Sequence, residues 1–370
     1  MKRLIVCFDG TWNSADGDGS IDTNVVKLSR AIHATQNTGG VPQIVLYLRG
    51  VGSTGVAIER MLAGATGEGI DENIRSAYMF LAQNYVPATP AGPADEIFVF
   101  GFSRGAFSAR SLVGFIGAAG LVKRQYLGSL RQLWDYYRKP PKQRDAATIV
   151  AIDRHDGVRV KCLGVWDTVG SLGVPTGFVL SERFNAPYQF HDTSPSRIVD
   201  NAFHALAIDE FRDEFVPTLW TGTAPDGAHI EQVWFAGAHS DVGGGYAAGD
   251  LANIPLVWMA EKAEGCGLVL DWRCLPDKTT LDPHAPRHES RWSWSRKDRL
   301  TPTIRQVCGR DVAVSVFEKL YRPMDDSGEP LSVINETVHG SVTQRHVGKA
   351  LLIDDPDAPA QQEDYHPRNL

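Results

Sequence analysis

The sequence has no uninterrupted apolar run approaching the ~20 residues that a membrane-crossing helix needs. It has no run of lysine and arginine either. Its 37 basic and 44 acidic residues give a formal net charge of −7. That balance argues against phosphate-backbone binding, so no nucleic-acid partner is expected, and it argues more weakly against adhesion to anionic membranes. The five cysteines, Cys7, Cys162, Cys266, Cys274 and Cys308, are odd in number and show no CxxC spacing. A zinc ribbon is excluded and no disulfide framework is implied; three of the thiols sit in apolar stretches and are expected to be buried. The opening MKRLIVCFDG has only five apolar residues before Asp9, too few for a secretory h-region. Cytoplasmic synthesis is the expectation.

What is present is the mixture of a folded globule, with 43% apolar and 22% charged residues in a chain of 370. That length suits one large α/β domain with an extension. Five short runs rich in Val, Ile, Phe and Trp, at 4–8, 44–48, 97–100, 160–166 and 232–236, are nearly continuous in apolar residues. Such runs are strands buried on both faces of a parallel sheet. Each ends in a Gly, Asp or small-residue loop, and segments such as 24–33 and 70–84 between them are long enough for helical crossovers. Strand, polar loop and helix in repetition predict a doubly wound, mostly parallel α/β sheet, with its site beyond the carboxyl ends of the strands. The core is expected over 1–270, with a charged, aromatic helical insertion near 122–150 that Pro140 and Pro141 halt. Residues 271–370 are expected as an extension packed on the core, beginning with a loop excursion over about 275–303.

Gly101-Phe102-Ser103-Arg104-Gly105 fits the G-x-S-x-G pattern. With 36 glycines in the chain the match alone is weak, and its context decides. The motif needs a buried strand before it and a helix after it, so that a strained turn exposes the serine hydroxyl. Here DEIFVF precedes it, and an eight-residue stretch without Pro or Gly follows it. Ser103 is therefore the candidate nucleophile, against the alternative of a glycine-bounded turn carrying a solvated serine.

A serine hydroxyl requires an adjacent base. In the hydrolase order the acid and then the histidine follow the serine, each on a loop at a strand's carboxyl end. Asp167 ends the run VKCLGVW and His239 lies just past QVWFAGA. The reading makes His239 the general base and Asp167 the group that holds its tautomer. Asp241 is an alternative acid or a cap of the turn VGGGY, and His339 is an alternative base if the extension folds over the site. His204 lies in the helical-looking run NAFHALAIDEF and is expected to be packed or in a lid. His284, His288 and His366 are expected to be solvated, and Asp209, Glu210 and Arg212 to form a helix-surface salt-bridge set, with a substrate-side cluster as the alternative. For an oxyanion hole, backbone N–H groups are expected from Arg104 and from Gly10-Thr11, with Asp9 bracing that loop.

CFDGTWN, GFSRGAFSARSLVGFI, VWDTVGSLG, ALAIDEFR, FAGAHSDVGGGY, HGSV and YHPRNL occur in that order. Together they resemble the α/β-hydrolase domain of the type VI secretion lipase effector family, in its GFSRG-bearing class. The resemblance implies a Ser–Asp–His phospholipase acting on acyl esters of glycerophospholipids, with Ser103, Asp167 and His239 in those roles. It also implies export by a type VI-like route and a secretion or immunity partner. The resulting expectation is a serine hydrolase of carboxylic esters, with a lipid or small ester as substrate and no organic cofactor or catalytic metal. Two rival readings are a metal-dependent phosphoesterase built on Asp9, Asp167, His239 and Asp241, and a non-catalytic binding module that keeps the fold.

Overall fold

The computed structural model describes residues 1–10, 21–34, 40–50, 68–170, 193–292, 299–325, 327–355 and 357–370. The apolar runs become strands β1 (Arg3–Phe8), β2 (Gln43–Leu48), β3 (Glu96–Phe102), β4 (Val160–Trp166), β5 (Asn201–Ala207) and β6 (His229–Phe235). Side chains alternate across a strand, so a continuous run supplies two cores at once. In β1, Leu4, Val6 and Phe8 enter one apolar cluster, while Ile5 and Cys7 enter the other. In β3, Ile97 and Val99 go to the first and Phe98, Phe100 and Phe102 to the second.

Helices cover both faces. On the first lie α2 (Glu68–Asn84), α3 (Arg104–Ala119) and α4 (Leu130–Tyr137); on the second lie α1 (Asn24–Ala31) and α6 (Asn253–Gly265). Thr23 caps α1 by accepting from the Val26 N–H, as an N-cap threonine does. The buried Asn24 amide ties α1 to the carbonyls of Val242 and Ala252 at 2.8 and 2.9 Å. A five-residue helix, α5 (His239–Gly243), follows β6.

The C-terminal hundred residues supply a short parallel pair, β7 (Thr303–Arg305) and β8 (Lys319–Tyr321). Beyond it come strand β9 (Glu336–Val338) and helix α7 (Gly340–Val347). β9 pairs in parallel with β6 and completes a seven-stranded sheet in the order β9-β6-β5-β4-β3-β1-β2, every neighbouring pair parallel. This is the doubly wound architecture expected from the runs, of the α/β-hydrolase-like kind that the resemblance implies. β1 lies between β2 and β3, so the winding reverses there, and the crevice at such a reversal is where open α/β sheets bind ligands. No helix among the described residues is long and apolar enough to cross a membrane.

The structure corrects the sequence reading at one element of the core. The run NAFHALA is not helical; it is β5, buried between β4 and β6. Its faces alternate, with Phe203, Ala205 and Ala207 on one core cluster and Ala202 on the other. Alanine has high helix propensity, and the buried His204 masks the period of two. The charged, aromatic stretch after α3 is a turn of 3-10 helix (Arg124–Ser129) leading into α4, which ends ahead of Pro140.

Candidate active site

Ser103 sits between β3 and α3 with φ +58°. A side-chain-bearing residue in that region stores of order 1–3 kcal/mol of strain unless its surroundings hold it. The flanking glycines do so by allowing close approach. A Cβ at Gly101 would lie 2.4 Å from the Gly105 carbonyl oxygen, and one at Gly105 would lie 2.3 Å from that of Phe8. The turn is therefore folded on itself, and the first turn of α3 is pressed against the end of β1. The Ser103 N–H donates to the Trp166 carbonyl at 3.0 Å, which couples the turn to β4.

Phe102 and Trp166 are register partners on β3 and β4, so the residues that follow them, Ser103 and Asp167, leave the sheet side by side. Asp167 also has positive φ, +35°, and its N–H donates to the Ala205 carbonyl at 2.7 Å. Its Oδ2 lies 2.6 Å from Nδ1 of His239, the first residue of α5. The imidazole is packed between Phe102 and Phe215, at ring-centroid distances of 4.6 and 4.8 Å. Burial pushes the His239 pKa down, against the opposing pull of Asp167 and Glu210. The ring is thus neutral near pH 7, the form that can accept a proton, with Nδ1–H fixed on the carboxylate.

Sequence reasoning missed Arg305. From β7 its guanidinium reaches Asp167 with two hydrogen bonds, Nη1 to Oδ1 at 2.7 Å and Nη2 to Oδ2 at 3.0 Å, both groups fully buried. Burial alone would raise the Asp167 carboxyl. The Arg305 and His239 interactions override it and hold the group well below the usual carboxylate range. The one local signal was an arginine set between Ile304 and Val307; its partner lies 138 residues away.

The loop after β1 is tied down by Asp9. Its Oδ1 accepts from the Gly10 N–H and the Thr23 hydroxyl, each at 2.7 Å, and its Oδ2 from the Tyr47 hydroxyl at 2.5 Å. The Gly10 N–H is thereby turned onto the Asp9 carboxylate instead of into the crevice. Thr11 lies outside the described residues. Arg104 opens α3, where the helix N-terminus favours negative charge.

Other candidates go elsewhere. Asp241 does not contact His239; its Oδ1 pairs with His288 Nδ1 at 2.7 Å, and its Oδ2 accepts from the Ala238 and His288 N–H groups. His288 is therefore buried, against expectation, because its ring and backbone N–H both bond Asp241 on α5. His284 is half-buried, with Nε2 3.1 Å from the Gln344 carbonyl, and His366 is exposed beside His346. His204 is fully buried, its Nε2 accepting from the Thr168 N–H. His339 caps α7 and stacks on Phe235 at 4.6 Å.

Asp209, Glu210 and Arg212 are not on a helix surface. Asp209 and Glu210 are buried at the carboxyl end of β5, and Arg212 grips both Glu210 oxygens at 2.9 and 2.8 Å. Burial would raise the Glu210 carboxyl, but Arg212 overrides it and holds it down to about 2. Of the four residues of the metal reading, Asp167 and His239 pair with each other, while Asp9 is taken up by Gly10, Thr23 and Tyr47 and Asp241 by His288 and Ala238. Among the described residues no group of three or more His, Cys, Asp and Glu side chains is placed to hold an ion.

Residues 2–262 match the family model described as the type VI secretion system phospholipase effector Tle1-like catalytic domain. An uncharacterized protein of Saccharomyces cerevisiae is 29% identical over 244 residues, which are 60% of this chain and 33% of that protein. A solved structure of an uncharacterized protein from Pseudomonas aeruginosa aligns at TM-score 0.45 and 17% identity, covering 75% of this chain and 48% of the other. The Tle1 effector solved in complex with the VgrG spike aligns at TM-score 0.38 and 20% identity, covering 67% and 52%. The chain spans between a third and about half of the length of these relatives. By the match over residues 2–262, the chain belongs to the Tle1-like catalytic domain family of type VI secretion phospholipase effectors.

Proposed function

We propose that the protein is a serine hydrolase of carboxylic esters. Ser103 attacks the acyl carbon, His239 takes the hydroxyl proton and returns it to the leaving alcohol, and Asp167 holds the imidazole and stabilises its charged form. The observation that carries this reading is the buried Asp167–His239 hydrogen bond of 2.6 Å at the end of β4, the strand paired with the one that leads into Ser103. An acyl-enzyme on Ser103 is then hydrolysed by water with His239 acting again as base. The N–H of Arg104 is the first oxyanion donor in this reading. The Gly10 N–H, expected as the other donor, is taken by the Asp9 carboxylate.

Family membership favours acyl esters of phospholipids as substrates. A cleft of about 1030 Å³ along α3 is lined by Trp134, Trp220, Arg110 and Arg197 together with Asp71 and Asp226, but not by Ser103, Asp167 or His239, so the substrate class rests on family membership. Delivery by a type VI-like route, with a secretion or immunity partner, is the corresponding proposal for where the protein acts.

Fluorophosphonate labelling of the purified protein, read by intact mass and peptide mapping, tests the reading. One adduct on Ser103, absent from Ser103→Ala, is expected. Folded wild-type protein that takes up no label at any serine would overturn it.

A further inference from the structure

We infer that Arg305 is a positioning residue of the site: its guanidinium locks the Asp167 carboxylate in place and offsets its charge, and so sets the orientation and basicity of His239. The inference rests on the serine-hydrolase reading and adds a fourth residue to it, one that lies beyond the stretch matched by the family model.

A carboxylate offers about four lone-pair sites, and at Asp167 all four are filled. Oδ1 accepts from Arg305 Nη1 at 2.7 Å and from the Ala207 N–H at 3.0 Å. Oδ2 accepts from Arg305 Nη2 at 3.0 Å and from His239 Nδ1 at 2.6 Å. The acid therefore has no alternative rotamer that keeps its bonds, and the imidazole has one partner in one place.

Arg305 is itself over-determined. Its guanidinium also donates to the carbonyls of Ala207 and Phe215. Its own carbonyl accepts from the Asn369 side chain at 2.9 Å, and Asn369 also donates to Ile208 at 3.2 Å. The C-terminal hundred residues thus reach Asp167 through a side chain held at both ends.

The electrostatic consequence has a definite sign. Among the described residues, the charged groups facing His239 are Asp167 at the end of β4, Glu210 and Arg212 after β5, and Arg305 behind Asp167 on β7. Phe102 and Phe215 pack against the ring, and Asp241 on α5 is taken up by His288. A buried carboxylate without a counter-charge stabilises an adjacent imidazolium more strongly than one bound to arginine. Removal of Arg305 makes the Asp167–His239 pair take up its proton at a higher pH.

The test compares wild type with Arg305→Met and Arg305→Lys by ester hydrolysis across pH and by NMR titration of the His239 ring. Arg305→Met is expected to lower kcat by about 100-fold with little change in KM. It is also expected to move the acid limb, and the ring titration, upward by about one pH unit. Arg305→Lys keeps the charge and loses the two-pronged grip, so kcat falls while the midpoint stays near wild type. Where Arg305→Met fails to fold, Arg305→Lys carries the test through kcat against KM.

The inference is overturned if folded Arg305→Met keeps the wild-type rate or midpoint, or if Arg305→Lys changes only the melting temperature. A wild type that neither labels nor hydrolyses esters sinks the hydrolase reading instead. The ring titration still reports on Arg305 in that case.

Discussion

Ser103 and Asp167 each follow a member of one cross-strand pair, Phe102 and Trp166, and both hold positive φ, +58° and +35°. Neither is a glycine. Two adjacent parallel strands thus end in strained residues one strand spacing apart, and a hydrogen bond from the Ser103 N–H to the Trp166 carbonyl ties one to the other. Strain at a paired position persists only when the surroundings fix it. Here the fixing groups are the glycine contacts of the β3–α3 turn and the four donors on the Asp167 carboxylate.

The first consequence concerns Gly105. An alanine there places Cβ 2.3 Å from the Phe8 carbonyl oxygen and 2.4 Å from that of Asp9. Backbone must move, and a loss of about 2–3 kcal/mol is expected. Gly128→Ala is the control, since nothing lies within 4 Å of its Cβ position. Thermal melts of the two variants beside wild type distinguish them; equal melting temperatures would show that the turn is not tight.

Replacement of Ser103 or His239 by alanine should lower turnover by several orders of magnitude and leave the chain folded. Asp167→Asn should cost roughly ten-thousand-fold by misorienting the base. It also leaves the Arg305 guanidinium buried without its counter-charge, a loss of about 3–5 kcal/mol. Turnover measured beside far-UV circular dichroism separates the two effects.

The pH dependence of activity follows from the burial of His239. Its pKa is lowered from the ordinary value of 6.5. The neutral, proton-accepting ring therefore persists below pH 6.5, and kcat/KM should begin to fall only at more acidic pH. A profile that already halves above pH 7 would contradict this placement.

Stability should respond to acid through Glu210. Its folded value of about 2 lies below the ordinary 4.5, so the carboxylate contributes stability fully above pH 4.5 and loses it as pH falls toward 2. The contribution is of order 3 kcal/mol. Denaturant melts of wild type and Glu210→Gln between pH 3 and 6 should converge as the pH drops. A gap of constant size would point to packing as the source of the difference.

His339→Ala gives a contrasting case. The side chain caps α7 and stacks on Phe235, so the expected loss is about 1 kcal/mol of stability, with ester turnover kept. A dead His339→Ala beside an active His239→Ala would reverse the assignment of the base.

The sequence by itself carried the parallel sheet and the strand–serine–helix turn, because both are written in local pattern. Strands buried on two faces must be continuously apolar, and a turn folded on itself must have glycine where backbone meets backbone. It carried the Asp167 and His239 candidates for the same reason, as residues placed at strand ends. β5 escaped because alanine suits a helix as well as it suits a crowded strand, and only burial between β4 and β6 selects the strand. The Asp241–His288 pair and the Arg305–Asp167 pair escaped for a different reason. Buried charges must find partners, yet nothing local names the partner, and Arg305 meets Asp167 across 138 residues only once the sheet has closed.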